Sequence, residues 1–194
     1  MNFTDLYNFA ENSSERPISV ESLRREIVAD HHWVGDVKLY PVDIDPAVAL
    51  GLLVFEKDRS SPYDESYTVA CIRYYRGLDR DEPMRRFVCC KELMHLFDGE
   101  AQQTNTRTRF IRLLSEFEAL PLPQDVSEMY KSEINAQWMA VLALCPQRLR
   151  LELRPKYPHE LDAPAIARLL KIPLGCAIAA MGDYYDTALK RLAP

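Results

Sequence analysis

Residues 87–98 read Phe-Val-Cys-Cys-Lys-Glu-Leu-Met-His-Leu-Phe-Asp, and the interpretation of the whole chain depends on this stretch. Glu92 and His95 are spaced like the glutamate and the second histidine of H-E-x-x-H, a motif of zinc proteases. Lys91 stands where the first histidine of that motif belongs. The stretch predicts a helix that projects positions 91 and 95 from one face, a single turn apart.

An intact motif of this kind needs further residues. A catalytic zinc ion takes three protein ligands and keeps one position for water, and the glutamate beside the first ligand acts as general base. By position, His95 is a candidate ligand and Glu92 is the candidate catalytic base. The third ligand usually comes from a later helix, and Glu133, within Lys-Ser-Glu-Ile-Asn-Ala-Gln-Trp-Met-Ala at 131–140, is the best candidate.

The composition indicates a globular chain. It has 194 residues, of which 47% are hydrophobic, enough for one domain with a core. The net charge of -5 argues against broad, nonspecific binding of nucleic acid. No apolar run reaches the roughly 18 residues of a membrane span, and the polar N-terminus does not resemble a secretory signal. Five cysteines without a C-x-x-C pair favour buried thiols, so we expect a cytoplasmic protein.

Local patterns predict an α+β fold. Helices are expected at 20–28 behind the cap Ser19, then at 46–50, 83–99, 107–119, from Asp125 to 144, at 164–171 and at 174–191. Strands are expected at 52–55 and 67–75, a charged loop at 56–66, and extended chain at 147–153. These elements predict a small sheet packed against a helical body that carries the zincin-like motif helix, with a C-terminal helical extension.

Two segments resemble motifs of the ImmA/IrrE-type metallopeptidases. Arg-Arg-Phe-Val-Cys-Cys-Lys-Glu-Leu-Met-His at 85–95 is similar to that family's R-x-F-(x)-x-A-H-E-L-G-H. Glu-Ile-Asn-Ala-Gln-Trp-Met-Ala at 133–140, followed by Leu142, Leu144 and Pro146, is similar to its E-x-x-A-x-x-F-A-x-x-L-L-x-P. The strand at 67–75, Pro-Val-Asp at 41–43 and the segment 166–174 fit the same order, so the resemblance covers most of the chain.

The resemblance implies a metallopeptidase-type domain at 1–155 and a small helical extension at 156–194. It also implies zinc-dependent proteolysis, typically of helix-turn-helix repressors in bacteria, phages and mobile elements. Carried over by position, it makes His95 and Glu133 zinc ligands and Glu92 the catalytic base. The chain departs from the family at Lys91, the first ligand, and at Met94, where the family has glycine and where we expect added bulk beside the site.

Two chemical roles are open to Lys91. A neutral amine can bind zinc, and removing the proton at pH 7 costs about 4 to 5 kcal/mol from a normal pKa. This cost is below the apparent binding energy of structural zinc, which is about 10 to 16 kcal/mol. The alternative is that the ammonium group replaces the charge of the metal and pairs with Glu133 or Glu92. We favour this replacement, because lysine is rarely a metal ligand.

Two functions follow from these roles. The first is an impaired or inactive relative that binds a regulatory protein, such as a helix-turn-helix repressor, with zinc weakly bound or absent. The second is an active zinc-dependent endopeptidase that cleaves a repressor-type protein. We favour the first, and we expect the strand at 67–75 to border the cleft and to bind an extended segment along its edge. Direct binding of nucleic acid is not expected, because segment 183–190 carries two acids where a recognition helix needs basic or amide side chains.

Other polar residues receive structural interpretations. We interpret Asp98 as a capping or solvated residue in preference to a hydrogen-bond partner of His95. The pair His31 and His32 is interpreted as a polar helix end, Arg85 and Arg86 as a solvated helix start, and His159 as a surface residue.

Overall fold

We describe residues 1–59, 66–99, 102 and 127–194 of a computed structural model of the chain. The helices in these ranges are α1 (Phe3–Asn12), α2 (Val20–Asp30), α3 (Glu82–Met94), α4 (Glu128–Leu144), α5 (Gln147–Leu153), α6 (Ala163–Leu170), α7 (Leu174–Met181) and α8 (Tyr184–Leu192). The strands are β1 (Asp36–Val42), β2 (Gly51–Asp58) and β3 (Tyr67–Tyr75). Short 3-10 turns occupy Arg76–Arg80, His95–Phe97 and Arg154–Lys156.

The three strands form one mixed sheet in the spatial order β1-β3-β2. β3 runs parallel to β1 and antiparallel to β2. The strand predicted at 67–75 is confirmed at both ends, and its residues 69–72 are buried. Because both edges of β3 are already paired, an extended segment cannot add to it. The expectation that an extended segment binds along the edge of this strand is therefore wrong. That the strand borders the cleft stays a prediction.

The helices pack around the sheet and bury one large hydrophobic cluster, which confirms the predicted α+β class. α3 lies against β2, β3 and α4. The cluster includes residues from every part of the described chain, among them Leu6, Leu23, Ile72, Leu93, Leu142, Ile166 and Ala177. The C-terminal helices α6 to α8 thus share the core of the preceding elements. The boundary at 155/156 stays a prediction.

Side-chain caps start several helices where the sequence has short polar residues. Ser19 accepts from the Ser22 N–H at 3.3 Å, as predicted for α2. Asp81 accepts from the Met84 N–H at 3.1 Å and starts the motif helix α3. Ser127, and not the predicted Asp125, caps α4.

Residues 147–153 form helix α5, so the prediction of extended chain there is wrong. Pro146 precedes the first turn, and the glutamine, arginine, leucine and glutamate residues that follow are good helix formers. The side chain of Arg150 is buried and donates to the carbonyls of Ala180, at 2.9 Å, and Gly182, at 3.2 Å. Tertiary bonding therefore supports the local helix preference.

Two other predicted helices differ from the structure. Residues 46–50 make a single turn, because the Leu50 carbonyl already accepts from the Tyr75 N–H at 2.9 Å and leads into β2. The helix predicted at 174–191 divides into α7 and α8, since Gly182 has extended backbone. Helix α1 and strand β1 had no prediction. The helix predicted at 107–119, Asp125 and residues 60–65 of the charged loop lie outside the described residues.

In the described ranges no single helix is both long and apolar enough to cross a membrane. Helices α6 and α7 meet that criterion only when taken together, and they are bent by 107° relative to each other.

Two glycines provide a matched test of the packing. A Cβ atom at Gly51 would lie 2.5 Å from Val88 Cγ1 and 3.0 Å from Glu92 Cγ, whereas one at Gly175 would meet nothing within 4 Å. We expect Gly51→Val to lower the free energy of unfolding by about 1 to 3 kcal/mol, because it forces β2 away from α3. Gly175→Ala should leave stability unchanged or raise it by up to about 1 kcal/mol. Urea denaturation measures both, and equal effects would contradict this packing.

Candidate functional site

Helix α3 and the 3-10 turn that follows it position most of the candidate site. The side chains of Val88, Leu93 and Met94 are buried in hydrophobic clusters, which fixes the rotation of the helix. Lys91 and His95 come from the remaining face. Met94 is fully buried in the large core cluster. The expectation that its bulk lies beside the site stays a prediction.

Lys91 makes two contacts with carboxylates. Its Nζ lies 2.7 Å from Glu133 Oε2 on α4 and 3.1 Å from Glu92 Oε1 on its own helix. The exposed fractions of these side chains are only 17% for Lys91, 16% for Glu133 and 4% for Glu92. The structure therefore brings together the residues that the sequence predicted on two separate helices, and it places an ammonium group between the two glutamates.

His95 is oriented by a network that the sequence interpretation missed. Its Nδ1 lies 2.7 Å from Asp98 Oδ2, which also accepts the Ser132 hydroxyl at 2.6 Å. Asp98 follows the 3-10 turn at its C-cap position, but its side chain is 6% exposed and bonds to His95, so its interpretation as a solvated residue is wrong. In the sequence, the position of Asp98 one helical turn after His95 was the signal for this hydrogen bond. For Ser132 the only signal was its position next to Glu133.

The other ring nitrogen of His95 faces Glu133. Nε2 lies 3.4 Å from Glu133 Oε1, which is within the range of an ion pair. The geometry is not that of a hydrogen bond, and Nε2 is buried without a hydrogen-bond partner among the described residues. We treat the contact as electrostatic, because the distance is long for a bond between charged groups.

Electrostatic contacts favour the charged forms of Lys91, His95 and Glu133, which together with Glu92 form the centre of the site. Burial would lower the pKa of Lys91, but the charges of Glu92 and Glu133 outweigh burial and raise it. Burial also opposes the charge of His95, yet the contacts with Asp98 and Glu133 raise the pKa of its ring to about 9. Burial would raise the pKa of Glu133, but His95 and Lys91 lower it to about 2. At neutral pH Lys91 is therefore an ammonium, His95 an imidazolium and Glu133 a carboxylate.

These residues do not fit a zinc ion. His95 Nε2 and Glu133 Oε1 face each other like two ligands, but the third predicted position holds a cation that cannot donate an electron pair while it keeps its proton. Within the described ranges no group of three or more His, Cys, Asp or Glu side chains is arranged to hold a metal. The metal-ligand and catalytic roles of Lys91, His95, Glu133 and Glu92 stay predictions.

The remaining candidates have structural surroundings. His31 is 7% exposed and stacks on His32 at the end of α2, with ring centroids 5.2 Å apart. Arg86 donates to the carbonyls of Ile18, at 2.6 Å, and Lys171, at 3.1 Å, so its interpretation as solvated is wrong. Arg85 pairs with Asp79 at 3.1 Å.

No protein-family model, no curated protein and no solved structure matches this chain. Membership of the ImmA/IrrE-type family therefore rests on the resemblance of the quoted motifs.

The Lys91 ion pairs predict a large effect on stability. Lys91→Met keeps most of the side-chain volume but leaves Glu92 and Glu133 without their cation. We expect the free energy of unfolding to fall by about 3 to 5 kcal/mol at pH 7, measured by urea denaturation. Lys38→Met is the control, because Lys38 and Asp58 form an exposed pair at 3.1 Å that contributes little. A loss for Lys91→Met no larger than for the control would contradict the assignment.

The raised pKa of His95 predicts a pH dependence. A group with a folded pKa of about 9 and an unfolded pKa of about 6.5 contributes its full stabilisation below pH 6.5 and loses it as pH rises through 9. The stability difference between the wild type and His95→Gln should therefore shrink by roughly 3 kcal/mol between pH 6 and pH 10. Denaturation at a series of pH values tests this, and a constant difference would count against an imidazolium at neutral pH.

Proposed function

We propose that this chain is a divergent ImmA/IrrE-like protein that has lost zinc peptidase activity and acts by binding a regulatory protein. The observation that carries the proposal is the ammonium group of Lys91, 2.7 Å from Glu133 and 3.1 Å from Glu92. It occupies the place of the first metal ligand and supplies positive charge there. The resemblance adds a helix-turn-helix repressor as the type of partner.

The pairing of Glu92 supports the loss of activity. A general base must reach the proton that it removes, directly or through one water. The Glu92 carboxylate is 4% exposed and lies 3.1 Å from the ammonium of Lys91. The carboxylate thus already faces a cation, which would have to move before Glu92 could act on a water molecule.

The protonation of Lys91 counts against the alternative of an active enzyme. For lysine to serve as a zinc ligand it must lose a proton, which costs about 1.4 kcal/mol for each pH unit below its pKa. The pKa of Lys91 is raised by Glu92 and Glu133 after the opposing effect of burial. The cost therefore exceeds that of an ordinary lysine, and the carboxylates that bind the ammonium would have to release it.

Strand β2 offers a place for a partner to bind without catalysis. In the described part of the chain β2 is paired only with β3. The Tyr75 N–H donates to the Leu50 carbonyl, so Leu50 and Tyr75 are a hydrogen-bonded pair of the antiparallel ladder. Hydrogen-bonded and non-bonded pairs alternate, and the backbone N–H and carbonyl groups of Gly51, Leu53 and Phe55 therefore face away from β3. β2 also starts beside Glu92, as the contacts of Gly51 indicate. An extended segment of a partner could add here by main-chain hydrogen bonds.

Zinc binding tests the proposal. The purified wild type should contain far less than one equivalent of zinc by elemental analysis. Lys91→His restores a second imidazole and removes the ammonium, so zinc affinity should rise by more than about 100-fold, because loss of an outer-shell partner alone changes it about 10- to 100-fold. Competition with a fluorescent chelator measures this, with Lys38→His as the control for an added surface histidine.

Stoichiometric zinc in the wild type would contradict the proposal. Equal zinc affinity of wild type and Lys91→His would do the same, because it would mean that the lysine already coordinates or that the other groups do not converge on a metal.

A further inference from the structure

The C-terminal helices expose an apolar surface that the proposed function does not use. Among the described residues eight large apolar side chains are exposed, and four of these lie between positions 169 and 184. The exposed fractions are 55% for Leu169 in the last turn of α6, 49% for Leu174 and 50% for Ile178 on α7, and 49% for Tyr184 at the start of α8. Scattered apolar residues on a surface are ordinary, but a concentrated group of them points to an interaction surface.

One side of α7 forms the middle of this surface. Leu174 and Ile178 are four residues apart and form one row along the helix, and Gly175 and Ala179 form the row beside it. A Cβ atom at Gly175 would meet nothing within 4 Å, so the row of small residues starts in open space. The helix contains no charged residue. We call these four residues the α7 face.

The opposite side of α7 fixes the direction of the α7 face. That side consists of buried residues of the large core cluster, which are Ala177, Ala180 and Met181. Arg150 donates to the Ala180 carbonyl at 2.9 Å and holds the end of the helix. A rotation of α7 that buried the α7 face would expose these core residues. The face is therefore available to a second molecule.

We propose that the α7 face binds the α7 face of a second copy of this chain in an antiparallel, two-fold symmetric contact. Each face presents a ridge, made by Leu174 and Ile178, beside a groove at the row of small residues. In the commonest class of helix packing, ridges of residues four apart fit into such grooves at about −50°. A two-fold axis places the ridge of each copy in the groove of the other, so one surface supplies both halves of the contact.

The charges around α7 select the antiparallel orientation. Near its N-terminal end lie the exposed Arg168 and Lys171, of which Lys171 pairs with Glu82 at 3.1 Å. Beyond its C-terminal end Asp183 pairs with Arg154 at 3.2 Å. A parallel contact would set the two basic ends side by side, whereas an antiparallel contact keeps them apart. The uncharged faces themselves bring no like charges together.

The area of the surface suits a weak dimer. Large apolar side chains each bury roughly 150 to 200 Å² when they are covered completely, so four that are half exposed offer roughly 300 to 400 Å². A standard interface buries about 800 Å² on each partner, and homodimer interfaces are about 65% apolar. The surface therefore supplies more than half of the apolar area that each subunit of a standard dimer needs. We expect a dissociation constant of about 1 to 100 µM.

Sedimentation velocity of the full chain tests the dimer. The mass should rise from 22.4 kDa towards twice that value as the concentration increases from about 1 to 300 µM. A wild type that keeps the monomer mass throughout, or that grows beyond the dimer, would overturn the proposal. If the monomer instead co-sediments with neutral phosphatidylcholine vesicles, the face belongs to a lipid surface and the proposal is equally overturned.

Gly175→Glu separates the dimer from the fold. The position lies in the first turn of α7, where a carboxylate favours the helix, and there is space for the side chain. The stability of the monomer in urea should therefore be unchanged or higher. In the dimer the carboxylate would fill the groove and be buried without a partner, so dimerisation should weaken by about 100-fold or more. Undiminished dimerisation of this variant would overturn the proposal.

A matched pair of surface variants tests the ridge. Ile178→Gln should weaken the dimer by about tenfold or more, because residues at the centre of an interface carry most of the binding energy. Val48→Gln is the control, since Val48 is also 50% exposed but lies in the turn before β2. The control should leave the dimer unchanged. Equal effects of the two substitutions would overturn the assignment of the α7 face.

Discussion

The ion pair between Lys91 and Glu133 joins helix α3 to helix α4 at the point where both carry charges into the interior. A buried carboxylate is unfavourable unless a cation and hydrogen bonds compensate it. Glu92 and Glu133 provide two such carboxylates, and the ammonium of Lys91 lies between them. The approach of the two helices at this point depends on this compensation.

Under the proposed function, the charges of the centre explain how a metal motif could lose a ligand and still keep its other residues. In an intact motif a divalent ion would face the two glutamates. Here two single positive charges, on Lys91 and on the imidazolium of His95, balance the same two carboxylates. On the proposal, the balance would be retained without the chemistry, because an ammonium group has no open coordination position and does not acidify a bound water as zinc does. Binding without hydrolysis is the function that we propose for this arrangement.

The sequence predicted the strand, the helix cap and the shared helix face that depend only on neighbouring residues. The β-branched and aromatic residues of 67–75 define β3, Ser19 caps α2, and the spacing of Lys91 and His95 anticipates their common face. The position of β3 within the sheet could not be predicted, since strand order depends on contacts distant in sequence. For the same reason the extended prediction at 147–153 failed, where a buried Arg150 bonds to the end of α7. The Asp98–Ser132 contact likewise crosses from the end of α3 to α4, and no single segment contains its signal.

The centre and the start of β2 adjoin each other, since a Cβ atom at Gly51 would lie 3.0 Å from Glu92 Cγ. What distinguishes this account from that of a metallopeptidase is the proton on Lys91. The most direct measurement is the NMR signal of the Lys91 Nζ atom, recorded at pH 7 before and after addition of an equimolar amount of zinc. The account predicts an ammonium group with three slowly exchanging hydrogens, unchanged by zinc. A neutral amine, or a signal that shifts to that of a zinc-bound nitrogen when one equivalent is added, would contradict it.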